Sequence, residues 1–148
     1  MLLRYVTGMI GREHADDVLQ DTFLQIYRKL GLLAEPLAFR AWAYRIATRL
    51  ALARLKRDRI WREQIRAEEL LRNLPAPTQP DQALTVLHQL EELAAHVSPK
   101  SRAVLLMHYR EEISLEEIAV ILDIPLGTAK SRLAYGLSSL RSLIHSEE

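Results

Sequence analysis

A stretch toward the carboxyl end of the chain, residues 113–143, has the pattern of two short helices joined by a tight turn. Ser114 and Glu117 have the spacing of a capping box, in which each side chain accepts a backbone N–H at the start of a helix. The helical repeat breaks over residues 123–127, because proline favours a first helical position and glycine tolerates tight backbone geometry. The second helix is amphipathic, with apolar positions at Ala129, Leu133, Leu137 and Leu140. This order of signals predicts a helix-turn-helix.

The first turns of the second helix carry polar residues on the side away from its apolar positions. In a helix-turn-helix this end enters the major groove of DNA, where side chains meet base edges and phosphates. An ordinary helical hairpin gives a similar pattern. Upstream, Ser98 and Pro99 are of the types preferred at a helix cap and at a first helical position, so a third helix is predicted to complete a small DNA-reading unit. The candidate DNA-binding residues of this unit are Thr128, Lys130, Ser131 and Arg132.

The composition argues against several classes of protein. The 148 residues include no cysteine, which excludes disulfides, zinc fingers and thiol nucleophiles, and the five histidines are scattered. We therefore expect no metal and no cofactor. No apolar run reaches the roughly 20 residues of a membrane span and no signal-peptide pattern is found, so a cytoplasmic protein is expected. Without a glycine-rich phosphate loop, a nucleophile elbow or a pair of suitably placed carboxylates, the sequence predicts neither an enzyme nor a small-molecule substrate.

Positive charge is concentrated in one segment, although the formal net charge of the chain is only +1. Residues 39–66 contain nine basic residues and two acidic ones. This distribution is typical of a helix that contacts a phosphate backbone, and a solvated helix face is the alternative. Aromatic rings beside arginines can stack unpaired bases while the arginines hold phosphates, although a lone tryptophan is more often a core residue. The candidate nucleic-acid residues here are Arg40, Trp42, Tyr44, Arg45, Arg49 and Lys56.

Three prolines between residues 73 and 80 divide the chain into two parts. Since proline cannot continue a helix, they predict a flexible linker between a first domain, residues 1–72, and a second, residues 81–148. Both domains are predicted to be all-α, because helical periodicity recurs and no strand pattern is found. A long helix is predicted over about residues 37–72 and another over residues 81–97. An earlier helix is predicted to be amphipathic. The residues predicted to face the core are Ala15, Val18, Leu19, Phe23, Ile26, Tyr27 and Leu30.

Three segments, in this order, resemble parts of the extracytoplasmic-function (ECF) group of bacterial sigma factors. The family's region 2 helix, which docks on RNA polymerase, is similar to residues 14–30, HADDVLQDTFLQIYRKL. The helix that melts promoter DNA and reads the minus-10 element is similar to residues 38–57, AFRAWAYRIATRLALARLKR. Region 4 is similar to residues 97–133, VSPKSRAVLLMHYREEISLEEIAVILDIPLGTAKSRL. The resemblance covers nearly the whole chain.

The resemblance implies a transcription initiation factor that binds core RNA polymerase, brings it to a two-part promoter and helps to open the DNA. It makes residues 1–72 a region 2-like bundle and residues 81–148 a region 4-like unit that reads the minus-35 element. It also implies a membrane-associated anti-sigma factor that wedges between the domains and holds the chain at the inner membrane face. The alternative is a helix-turn-helix regulator, or a degenerate sigma-like protein, that does not act through polymerase. The implied polymerase-binding residues are Asp17, Gln20, Asp21 and Arg28.

The sequence departs from the family pattern at two places. Arg49 stands where the family usually has asparagine, so a cation replaces an amide that reads bases. In the recognition helix the family typically continues with basic or aromatic residues, whereas this chain has alanine, tyrosine, glycine and leucine at residues 134–137. Fewer phosphate contacts there predict weaker binding of the minus-35 element.

Overall fold

The computed structural model describes residues 1–72 and 96–146, with side chains described for residues 1–64 and 96–142. The α-helices are α1 (Leu2–Ile10), α2 (Arg12–Lys29), α3 (Phe39–Arg72), α4 (Pro99–Leu105), α5 (Leu115–Leu122) and α6 (Leu126–Ser146). A π-helical segment, Leu106–Arg110, continues α4. The described ranges contain no strand, and the predicted all-α class is confirmed. None of their helices has both the length and the apolar character needed to cross a membrane.

The first lobe, residues 1–72, consists of α1, α2 and α3 packed on one another. Gly11 has a φ of 82°, which glycine adopts without strain and which lets the chain turn between α1 and α2. Thr22 is buried within α2, and its hydroxyl donates to the carbonyl of Val18 at 2.6 Å, so this polar group is satisfied. The main apolar core of the lobe contains Tyr5, Val6, Met9, Ala15, Val18, Leu19, Tyr44, Ala47 and Ala51.

The apolar stripe of α2 is only partly buried. The prediction that Phe23, Tyr27 and Leu30 face inward is wrong, because these residues are 58%, 80% and 49% exposed. The nine residues of α1 and the eighteen of α2 correspond to lengths of about 14 and 27 Å. α1 is therefore too short to cover the whole of α2, while α3 packs against the side that carries Ile26. Phe23, Tyr27 and Leu30 therefore stay at the surface.

The second lobe, residues 96–146, contains the predicted helix-turn-helix, formed by α5 and α6. The capping box is confirmed. Ser114 Oγ accepts the backbone N–H of Glu117 at 3.2 Å, and a carboxylate oxygen of Glu117 accepts that of Ser114 at 3.3 Å. α5 is capped by Asp123, whose φ of 54° is left-handed, a conformation that aspartate tolerates because its short side chain can hydrogen-bond locally. α4 begins with the predicted Pro99, and Ser98 is at the cap position, but the Ser98 side chain makes no capping hydrogen bond.

The two lobes pack against each other. α1 and α3 of the first lobe contact α4, the π-helical segment and α5 of the second. One apolar cluster runs through both lobes, and its second-lobe members are Ala103, Val104, Met107, Ile113, Ile118 and Ile121. The predicted linker, residues 73–80, and nearly all of the helix predicted over residues 81–97 lie outside the described residues. The predicted domain boundaries therefore stay predictions.

Candidate nucleic-acid interface

The four predicted DNA-binding residues of the second lobe lie in the first two turns of α6. The carbonyl of Pro125 accepts the backbone N–H of Thr128 at 3.0 Å, which fixes the start of the helix directly after the turn. Lys130 and Ser131 are exposed, whereas Thr128 and Arg132 are half-buried. The structure thus places all four at the end of the helix-turn-helix that would enter a DNA groove.

Tyr135 extends this surface by one turn. It lines an open groove together with Thr128, Ser131 and Arg132, and it is 64% exposed. From the sequence, residues 134–137 predict only a lack of basic residues, and the exposed aromatic ring at this position was not predicted. The available signal was the spacing of three and four residues that places these side chains on one face of α6.

The candidate residues of α3 are divided between solvent and the second lobe. Arg49 and Lys56 are exposed. Arg40, which is also exposed, and Arg45, which is half-buried, donate to backbone carbonyls of the second lobe, at 3.0 Å to Glu111 and at 2.9 Å to the last turn of α5. Arginine suits the latter position, because the final carbonyls of a helix lack helical partners and carry partial negative charge. The structure therefore leaves only part of the predicted set free to meet DNA.

The aromatic candidates of α3 are partly or fully buried. Trp42 is half-buried and packs beside Ala43 and Ile46. Tyr44 is buried, being 3% exposed, so with the lobes packed as described its ring cannot stack on a base. Their base-stacking role stays a prediction.

A buried carboxylate, that of Glu111, lies at the centre of the contact between the lobes; its side chain is 0% exposed. The hydroxyl of Tyr44 donates to it at 2.6 Å, and Nε of Arg4 donates to it at 3.4 Å. Burial raises the pKa of Tyr44, and the hydrogen bond to Glu111 raises it further, so the phenol stays protonated and donates. A hydrogen bond to a charged group typically contributes about 1.5–3 kcal/mol, so removal of the Tyr44 hydroxyl should destabilise the contact by an amount of this order.

α2 presents a second exposed surface, in which polar and apolar side chains alternate. We call this surface the α2 face; it consists of Asp17, Gln20, Asp21, Phe23, Leu24, Tyr27 and Arg28. The four predicted polymerase-binding residues are all part of it. Leu24, which is 45% exposed, lies among them at helical spacing. Phe23 and Tyr27 were missed as surface residues because their periodicity predicts burial, and Leu24 was not predicted to lie on either side.

Comparison with known proteins gives a family match for each lobe. Residues 1–60 match the model of Sigma-70 region 2, and residues 87–140 match that of Sigma-70, region 4. The ECF RNA polymerase sigma factor SigW of Bacillus subtilis (strain 168) is 29% identical, over 90% of this chain and 77% of the relative. The ECF RNA polymerase sigma factor SigL of Mycobacterium tuberculosis is 30% identical, over 95% of this chain and 81% of the relative.

A solved structure has the same fold. The sigma factor RpoE, in a co-crystal structure with the anti-sigma factor NepR from Bartonella quintana, has a TM-score of 0.67 and an identity of 19%. The alignment covers 99% of this chain and 91% of that chain.

Proposed function

This chain belongs to the ECF sigma factors, the initiation factors of bacterial RNA polymerase. We propose that its two lobes recognise different elements of the promoter. The first lobe holds core polymerase through the α2 face and acts on the minus-10 element with α3. The second lobe reads the minus-35 element with the first turns of α6. The exposed α2 face carries this proposal, because a protein that binds DNA alone does not require an apolar surface for docking another protein.

The α2 face has the make-up of a protein-docking surface. Exposed apolar residues that are grouped on one face of a monomer mark an interaction site. Phe23 and Tyr27, which are 58% and 80% exposed, are one helical turn apart and provide aromatic anchors. Charged neighbours such as Asp17 and Arg28 provide the polar rim that fixes orientation. Core RNA polymerase is the partner that this surface would bind.

The DNA-binding roles are supported by the placement of the basic residues. Lys130 is exposed at the start of α6, and Arg49 and Lys56 are exposed along α3. Exposed cations release counterions when they meet phosphates, which supplies most of the affinity for any DNA sequence. The family acts in transcription initiation, and we propose for this chain no catalytic activity and no cofactor of its own.

We further propose that an anti-sigma factor controls this chain. The support is the similar fold of the sigma factor RpoE, which was crystallised with the anti-sigma factor NepR. Attachment to the inner membrane face would then come from the anti-sigma factor. A regulator that binds DNA without polymerase is the second candidate, and the helix-turn-helix by itself is compatible with it.

Two assays on the full chain test the proposal. The chain should co-elute with core RNA polymerase in gel filtration, and it should direct run-off transcription from a subset of genomic fragments. Specific DNA binding without any association with core polymerase would contradict the sigma-type function and favour the autonomous regulator.

A prediction for α6 separates base reading from phosphate contact. In a holoenzyme, Lys130→Ala should relax the sequence preference at the minus-35 element, because a lost base contact removes about 1–3 kcal/mol of discrimination. Arg132→Ala should weaken all sequences alike, since a phosphate contact carries no sequence information. Run-off transcription from promoters with randomised minus-35 elements measures both. If both variants lost the same fraction of transcription at every minus-35 sequence, Lys130 would not be a base-reading residue.

A further inference from the structure

The guanidinium of Arg54 in α3 faces α2, although Arg54 belongs to the basic segment of residues 39–66. Its side chain is only 25% exposed. Nη2 donates to Nδ1 of His14 in α2 at 3.0 Å, and Nε donates to Oδ1 of Asp58, one helical turn further along α3, at 3.2 Å. Nη1 lies 3.8 Å from Oδ2 of Asp17 in α2. The three nitrogens of one guanidinium thus face three different side chains.

Asp17 is the member of the α2 face that Arg54 reaches. The Asp17 side chain is 69% exposed, so its carboxylate stays accessible to a partner. Among the side chains that the structure describes, the other acidic residues of α2 have no ion-pair partner; they are Glu13, Asp16 and Asp21. Arg54 therefore singles out one carboxylate of the α2 face.

The bonds to His14 and Asp58 fix where Arg54 meets Asp17. A guanidinium is rigid and planar, so two nitrogens held by acceptors give the third a defined position. Since a guanidinium can only donate, Nδ1 of His14 is the acceptor. An exposed ion pair adds little to stability, because water screens it. Its effect is on binding, because a side chain that is ordered before association does not have to be ordered during it.

We propose that Arg54 is a positioning residue for polymerase docking. It holds the carboxylate of Asp17 in the orientation in which the α2 face presents it to core RNA polymerase, and it contacts neither polymerase nor DNA itself. The proposal deepens the proposed function and rests on it, because Asp17 must belong to the docking surface. It also removes Arg54 from the basic residues of α3 that are available to phosphates.

A double-mutant cycle in the full chain tests this role. Arg54→Ala should lower the affinity for core polymerase about two- to fivefold, which is the cost of ordering one short side chain on binding. In a chain that already carries Asp17→Ala, it should lower the affinity no further. Arg59→Ala is the matched control, because Arg59 is 70% exposed and its ion pair with Glu63 lies within α3, and it should bind at wild-type strength. Fluorescence anisotropy of labelled chain titrated with core polymerase measures every affinity.

Two results of the cycle would overturn the positioning role. An equal loss from Arg54→Ala with and without Asp17→Ala would mean that Arg54 acts by direct contact or through the packing of α2 on α3. Affinity that is unchanged or raised by Arg54→Ala would mean that Asp17 does not need to be held.

Arg54→Lys covers the case in which Arg54→Ala fails to fold. Lysine keeps the charge but replaces the planar fork by a single ammonium group, so it should show a loss of about two- to fivefold, and only when Asp17 is present. Wild-type affinity with Arg54→Lys would show that charge alone suffices and would contradict the positioning role.

The free chain separates this inference from the proposed function. An unmutated chain that does not bind core polymerase would contradict the proposed function. The same cycle, measured by urea denaturation of the free chain, should give a coupling between Arg54 and Asp17 of about two- to fivefold in the unfolding equilibrium constant. No coupling in the free chain would contradict the positioning role, whatever polymerase does.

Discussion

The double variant Phe23→Ala, Tyr27→Ala should lose about a thousandfold in affinity for core RNA polymerase, because an aromatic anchor at the centre of an interface contributes about 2 kcal/mol or more. Both side chains are exposed, so their removal should leave the free energy of unfolding nearly unchanged. Titration of labelled chain with core polymerase, followed by fluorescence anisotropy, measures the affinity, and urea denaturation checks the fold.

The matched control removes exposed apolar side chains elsewhere. Leu37 and Tyr109 are 91% and 61% exposed and lie outside the α2 face, so Leu37→Ala with Tyr109→Ala should bind core polymerase at wild-type strength. A double variant of Phe23 and Tyr27 that still co-elutes with core polymerase as tightly as this control would show that the α2 face is not the docking surface.

The polar members of the α2 face allow a separate comparison. The triple variant Asp17→Ala, Gln20→Ala, Arg28→Glu changes only the polar residues that the family resemblance implies for polymerase binding. Charged residues at the rim of an interface act mainly on the association rate and its salt dependence. We therefore expect this triple variant to slow association, and the aromatic variant to speed dissociation. Stopped-flow binding at two salt concentrations separates the two effects.

The helix-turn-helix could be predicted from sequence because its signals are local. The capping box joins two residues of one helical turn, and the turn depends on proline and glycine within five residues of each other. The inward or outward direction of α2 side chains is a different problem. Periodicity predicts one apolar stripe, but the length of α1 decides how much of that stripe is covered. Periodicity alone therefore predicts that Phe23 and Tyr27 are buried, although α1 is too short to cover them.

The burial of Glu111 between the lobes could not be predicted from the sequence. Glu111 is 67 residues from its partner Tyr44 and 107 from Arg4 along the chain. Nothing in the acidic pair at residues 111–112 distinguishes the buried carboxylate from its exposed neighbour. A tertiary arrangement makes this residue the centre of the contact, and the same arrangement removes Tyr44 from the surface on which its aromatic character predicted a base contact.

Removing two exposed cations from α3, in the variant Arg49→Gln, Lys56→Gln, should reduce open-complex formation about a hundredfold or more. A hydrogen bond to a charged group contributes about 1.5–3 kcal/mol, and both side chains are exposed, whereas Arg40 and Arg45 donate to carbonyls of the second lobe. The slope of log K against log salt should become shallower by about 1.4, since each lost contact to a single strand removes about 0.7. Permanganate reactivity of the melted region over a range of salt concentrations gives both values.

The control for this prediction carries the same change of net charge. Arg12→Gln with Lys100→Gln removes two exposed cations from α2 and α4, and it should leave the salt slope of open-complex formation unaltered. If the two double variants had the same slope, long-range charge rather than contact with the melted strand would account for the effect of α3. A shallower slope for the α3 variant alone would place Arg49 and Lys56 on the DNA, and would assign to a cation the position at which the family usually has asparagine.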